Sequence, residues 1–146
     1  MKIKVAWIGK TKEPAIQALT DQYLKRLSHY AEVEGVSLKD EAAIHALSRG
    51  EKGKSPHKLI LLDSRGKQFS SEELAKFIET EQLTAIPLLF AIGASDGFTD
   101  ETHRHATLIL SLGKMTLPHE FARVVVLEQI YRAFTILKNH PYHLGH

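Results

Sequence analysis

Two loops and one terminal tail hold the residue types able to do chemistry. Gly93-Ala94-Ser95-Asp96-Gly97 places two glycines in five residues, so its backbone can approach a ligand closely and take positive φ. A tight strand-to-helix turn has the same composition, and the stretch has neither the G-x-G-x-x-G spacing nor the lysine of a phosphate-binding loop. The segment Ser111 to His119 is more specific, because a strand ends at Gly113, a polar run follows, and Pro118-His119 opens a helix. His119 reads either as a contact to RNA or as a first-turn residue with no chemical role. Glu128 and Arg132 stand four apart, which suits a helix-surface ion pair worth a few tenths of a kcal/mol. Otherwise Arg132 is free to meet an RNA phosphate. The chain closes on His140-Pro141-Tyr142-His143-Leu144-Gly145-His146, three histidines at intervals of three. A metal site is a poor reading of them. Pro141 breaks any helix that would align the imidazoles, and no carboxylate lies nearby in sequence to support a ligand. An aromatic ring beside an imidazole better suits base stacking and proton handling.

The elements that must position these residues follow from periodicity. Residues 2–8 alternate lysine with apolar side chains and predict a strand with one buried face. Ile16, Leu19, Tyr23, Leu27 and Tyr30 recur at helical spacing after Pro14 and predict a helix over 14–30. Val33 to Leu38 reads as a strand, Asp40 to Leu47 as a short helix, and Arg49 to Pro56 as a polar loop with three basic residues. Lys58 to Asp63 is a continuous apolar run that stops at the turn sequence Ser64-Arg65-Gly66-Lys67, as in a buried parallel strand. Ser70 three residues before Glu73 is a capping-box pattern and opens a helix over about 71–81. Pro87 to Ile92 and Thr107 to Leu112 are further strands, with a short polar helix over Thr99 to Ala106 between them. Pro118 starts a last long helix whose apolar face, from Phe121 to Leu137, is wide enough to be buried on two sides.

Strands alternating with helices predict an α/β fold, an open and mostly parallel sheet with helices on both faces and ligands at the carboxyl ends of the strands. Three loops qualify, those after Leu62, Ile92 and Leu112. At 146 residues, 43% of them apolar, the chain is expected to form one domain over 1–146. It has no cysteine, which excludes disulfides, a thiolate nucleophile and cysteine-containing zinc sites, and points to a reducing, cytoplasmic compartment. Neither a signal peptide nor a membrane-spanning run of about 20 apolar residues is present. The net charge of +2 permits nucleic-acid binding without requiring it, and the basic excess lies near the amino terminus, where residues 1–58 hold 11 Lys/Arg against 7 Asp/Glu. The lysines there and in the loop from Arg49 to Lys58 are candidate phosphate contacts.

Several motifs together resemble one family: Leu62-Asp63 with Gly66-Lys67, Phe90-Ala91-Ile92-Gly93 through Gly97, Ser111-Leu112-Gly113-Lys114-Met115-Thr116-Leu117-Pro118-His119, Leu127 through Phe134, and Pro141-Tyr142-His143. The chain resembles the ribosomal RNA large-subunit methyltransferase H group of the SPOUT superfamily over nearly its whole length. That resemblance implies a carboxyl-terminal trefoil knot, an exception to the rule of unknotted chains. It implies S-adenosylmethionine as methyl donor and no metal, with Leu62, Gly93, Leu112, Gly113, Lys114, Met115, Thr116 and Leu117 lining the donor pocket. It also implies a homodimer that methylates N3 of a pseudouridine in 23S rRNA of the large subunit or 70S ribosome, at a site built from both subunits. Three positions depart from the family pattern. A glycine pair appears here as Gly93-Ala94, a usual serine is Gly113, and the chain continues past Tyr142-His143 with Leu144-Gly145-His146.

An imide N3 that keeps its proton has no lone pair for an electrophilic methyl group, so a base must remove that proton. Histidine titrates near pH ~6.5, which makes His143 the candidate base and Tyr142 the residue that stacks on or orients the substrate ring. The alternative is a noncatalytic ribosome- or RNA-binding protein that keeps the SPOUT fold and has lost the donor site through Ala94 and Gly113.

Overall fold

The computed structural model describes residues 1–144. Five strands and five helices alternate: β1 (Lys2–Ile8), α1 (Pro14–Leu27), β2 (Glu32–Leu38), α2 (Glu41–Arg49), β3 (Lys58–Gln68), α3 (Ser71–Gln82), β4 (Leu88–Ile92), α4 (Asp100–His105), β5 (Leu108–Ser111) and α5 (His119–Leu137). The strands form one sheet in the order β2-β1-β4-β3-β5, and every pair is parallel. This is the α/β architecture expected from the alternation. β4 is central, and all five of its residues are buried, which is why its sequence is an unbroken apolar run.

Two apolar layers sandwich the sheet. Ile3, Val5, Phe90 and Ile60 point to the face covered by α1, α3 and α5, where Leu27, Ile78, Val126 and Ile130 meet them. Ala6, Leu59, Leu61 and Ala91 point the other way, toward Ile44 of α2 and Phe98. Helix starts follow local chemistry. Asp40 accepts from the Ala43 amide at 3.0 Å to cap α2, and Ser70 and Glu73 satisfy each other's backbone amides to cap α3.

The structure corrects two sequence expectations, the end of α1 and the end of β3, and bears out the burial of α5 on two sides. α1 stops at Leu27, short of Tyr30, because Tyr30 and Ala31 turn back onto the Leu27 carbonyl so that Glu32 can pair with Lys2. Tyr30 nonetheless stacks on Phe134 with ring centroids 5.8 Å apart, so its helical spacing reflects a tertiary contact. β3 does not end at a turn after Asp63. Leu62 and Lys67 both pair with Leu110, so Asp63 to Gly66 form a four-residue excursion inside a strand that then resumes. The wide face of α5 is used mainly inside the protomer, between α1 and α3, while Phe121 (54% exposed) and Met115 (86%) remain uncovered.

Gly66 makes the excursion possible. A Cβ at this position would lie 2.5 Å from the Ile109 carbonyl oxygen and 2.6 Å from its carbon, and backbone cannot swing aside as a side chain does. Gly66→Ala is expected to lower stability by about 1–3 kcal/mol, read as a shift in the urea midpoint. An unchanged midpoint would show that the β3–β5 ladder opens there without cost.

Among the described residues no helix is long and apolar enough to cross a membrane.

Candidate active site

Register brings three strand ends together. Leu62 pairs with both Ile92 and Leu110, so the chain leaves β3, β4 and β5 at one level of the sheet. The loops that follow enclose a cleft of about 810 Å³, within the range of small-molecule sites. Its apolar walls include Leu62, Ile92, Leu112 and Leu117, and Gly93, Gly113, Met115 and Thr116 complete the three turns. Seven of the eight expected pocket residues therefore line one cavity. Lys114 does not line it, although its neighbours on both sides do. His119 also faces this cleft, so the structure sets it beside the expected donor site as the first residue of α5.

Local hydrogen bonds fix the walls. Ser111 Oγ accepts from the Gly113 amide at 3.1 Å and lies 3.0 Å from the Gly113 carbonyl oxygen, to which it donates. Gly113 has φ +134°, a conformation that side chains rarely adopt, so glycine at this position suits the turn. Across the cleft, Gly97 closes a turn onto the Ala94 carbonyl at 2.9 Å, and the buried ring of Phe98 packs under Gly93.

The terminal residues cluster elsewhere. Tyr142 lies on α5, its ring 4.8 Å from that of Tyr131 and 4.8 Å from the Arg132 guanidinium, and its hydroxyl is 3.2 Å from that of Tyr23. Burial, together with that hydroxyl, pushes the Tyr142 phenol up, so it stays neutral. Arg132 donates to Glu128 at 2.7 Å, the helix-surface ion pair suggested by the spacing, and Arg132 Nη1 lies 3.0 Å from His143 Nδ1. A guanidinium only donates, so Nδ1 accepts and the proton of the neutral ring sits on Nε2, which donates to Glu72 Oε1 at 2.8 Å. That bond holds the Glu72 carboxyl below its usual range. His143 thus has a carboxylate partner after all, 71 residues away in sequence. None of Arg132, Tyr142 and His143 lines the 810 Å³ cleft of its own protomer.

Comparison with known proteins decides the family. The family described as "Predicted SPOUT methyltransferase" matches residues 1–143. The chain belongs to the SPOUT methyltransferases. It is 55% identical over 147 residues, and 100% of both chains, to the protein of Koribacter versatilis named ribosomal RNA large subunit methyltransferase H. In fold it is similar to a probable methylase family protein from Haemophilus influenzae, with a TM-score of 0.59 at 12% identity, covering 97% of this chain and 70% of that one. It is also similar to the SpoU methyltransferase AviRb of Streptomyces viridochromogenes, solved with AdoMet, with a TM-score of 0.53 at 13% identity; 90% of this chain is covered but only 57% of the other.

Two further groups shape this SPOUT site and escaped the sequence reading. Arg123 interrupts the apolar face of α5, is 1% exposed, lies over the Trp7 ring and donates to the Ile8 carbonyl at 3.1 Å and the Thr11 hydroxyl at 2.9 Å. It ties the loop after β1 to the helix that opens at the cleft. Asp63, at the cleft edge, accepts from Arg65 and from His103, and the 40 positions between Asp63 and His103 fit no spacing rule. Among the described residues no group of three or more His, Asp or Glu is placed to hold a metal ion, and His146 of the three-histidine tail lies outside those residues.

Proposed function

We propose that this chain is the S-adenosylmethionine-dependent enzyme that methylates N3 of a pseudouridine in 23S rRNA, acting in the cytoplasm as a homodimer on the large subunit or 70S ribosome. The observation that carries this reading is the 810 Å³ cleft walled by three strand-end loops, together with an aromatic-imidazole tail that does not line the cleft of its own chain. Full-length similarity to a relative named for methylation of large-subunit rRNA supports the substrate class, and the AdoMet-bound SPOUT neighbour supports the donor.

The cleft suits the donor on its own chemistry. Apolar walls from Leu62, Ile92, Leu112 and Leu117 suit an adenine ring, and the glycines at 93 and 113 leave main-chain groups open to its polar edges. When bound, S-adenosylmethionine supplies an electrophilic methyl group. The knot fits this arrangement. The segment from Gly113 to Pro118 carries the chain from the edge strand β5 to α5 packed between α1 and α3, and we infer that it does so by threading the loops it adjoins.

The protein's own residues handle the proton. With Nε2–H held by Glu72, Nδ1 of His143 is the nitrogen able to accept the N3 proton, and Glu72 then faces the imidazolium that forms. Arg132 must first release Nδ1, and its guanidinium then becomes available for an RNA phosphate. Tyr142, neutral and backed by Tyr131, offers a ring face for the base.

Ribosomes incubated with this protein and isotope-labelled S-adenosylmethionine should yield labelled methylpseudouridine in digests of 23S rRNA analysed by mass spectrometry. Label on another nucleotide would refute the substrate, and no label in any RNA would refute the activity.

A further inference from the structure

The excursion in β3 builds a charged edge that the donor cleft does not use. Asp63 accepts from the Arg65 amide at 2.8 Å, from Arg65 Nε at 3.2 Å and from Arg65 Nη2 at 3.1 Å, and it lies 2.6 Å from His103 Nε2. The Arg65 guanidinium holds the Asp63 carboxyl well below the usual carboxylate range, so Asp63 is an acceptor only. His103 Nδ1 lies 2.8 Å from the Thr99 carbonyl oxygen, so both ring nitrogens face acceptors and the ring is an imidazolium. Two cations therefore share one carboxylate, leaving a net positive charge.

These cations border a groove. Arg65, Lys67 and His103 line an open channel of about 530 Å³ beside Thr107 and the start of the edge strand, Leu108 and Ile109, and Asp100 is the one acidic residue of its lining. Arg65 Nη1 and the Lys67 ammonium have no partner among the described residues, and Arg65 is 75% exposed. Arg65 also lines the donor cleft, so the groove begins where the cleft ends. A strand that reaches the cleft over this shared edge carries its flanking phosphates across these walls.

We propose that this groove binds the phosphodiester backbone of the substrate RNA next to the methylated nucleotide, with Asp63 fixing Arg65 and His103 toward the strand and Lys67 completing the contact. The inference rests on the RNA substrate of the proposed function and adds a face of the protein that the tail and the basic loop from Arg49 do not include. Charge complementarity selects the occupant, since three cations against the two carboxylates of Asp63 and Asp100 leave an excess of positive charge that favours a polyanion.

The test is ribosome association measured over about 50–200 mM salt with donor-loaded protein. Lys67 is exposed and outside the donor cleft, so Lys67→Gln should lower the slope of log K against log salt by about 0.7–0.9, the release of one phosphate contact, while Lys67→Arg retains the wild-type slope. A photo-crosslinker placed at position 67 should join the protein to 23S rRNA. An unchanged slope in Lys67→Gln, or crosslinks to ribosomal protein alone, would overturn the groove assignment while wild-type association keeps the proposed function standing. Wild-type protein that fails to bind ribosomes at any salt overturns both.

Discussion

Replacing Gly93 by leucine is expected to weaken S-adenosylmethionine binding at least about 100-fold, a loss of about 2.8 kcal/mol, and to remove methyl transfer with it. Gly93 stands where β4 enters the cleft, and a Cβ there already meets three atoms of the Phe98 ring, two at 3.2 Å and one at 3.4 Å. Phe98 is buried in the layer under α2 and can give by only a few tenths of an ångström, which is enough for alanine. Leucine adds three more carbons. The core side is full, so they extend into the space bounded by Leu62 and Leu112, where the donor's rings would lie. Calorimetric titration of the wild type, Gly93→Ala and Gly93→Leu separates the effects: alanine should bind within a few-fold of wild type, and leucine should not bind measurably. A thermal melt checks that the leucine variant remains folded, since crowding of this size costs about 1–3 kcal/mol. Wild-type donor affinity in Gly93→Leu would place the donor outside this cleft. Wild-type protein without donor affinity would favour a noncatalytic ribosome-binding protein.

The cleft was legible in the sequence because a parallel sheet sends all its strand ends to one edge, so three loops read separately had to meet. The same logic located β4, whose apolar run is long enough only for a buried strand, and α3, whose Ser70 and Glu73 form the reciprocal cap that their spacing suggests. What the sequence concealed was non-local. Ser64-Arg65-Gly66-Lys67 has the composition of a turn and does leave the ladder, but nothing local reveals that the strand resumes opposite Leu110. His103 looks like the basic end of a short helix until Asp63 is set beside it, and Glu72 looks like the acidic first turn of α3 until His143 folds onto it. Arg123 was hidden by the apolar residues around it in α5; its charge in that stripe was the available signal.

In the proposed homodimer the tail could serve either protomer, and mixing variants should decide which. His143→Ala alone is expected to lower turnover by about 10²–10⁴-fold, the usual contribution of a general base. Gly93→Leu supplies an intact tail with a blocked cleft, and His143→Ala an intact cleft with a disabled tail. If each site joins the cleft of one subunit to the tail of the other, a heterodimer of the two variants restores one complete site. Random pairing in a two-fold dimer then returns roughly a quarter of wild-type activity from two nearly inactive proteins. If cleft and tail of the same chain cooperate, every site in every dimer carries one lesion and the mixture stays inactive. The proposed homodimer calls for the first outcome. His143 is held by Arg132 and Glu72 and Tyr142 by Tyr23 and Tyr131, none of which lines the cleft, while Met115, Leu117 and Phe121 leave apolar surface uncovered at the cleft mouth and on the first turn of α5. Co-expression with two affinity tags isolates the heterodimer, whose one complete site of two should give about half of wild-type activity in single-turnover methylation of ribosomes. Activity no greater than the sum of the two variants would sink the shared site.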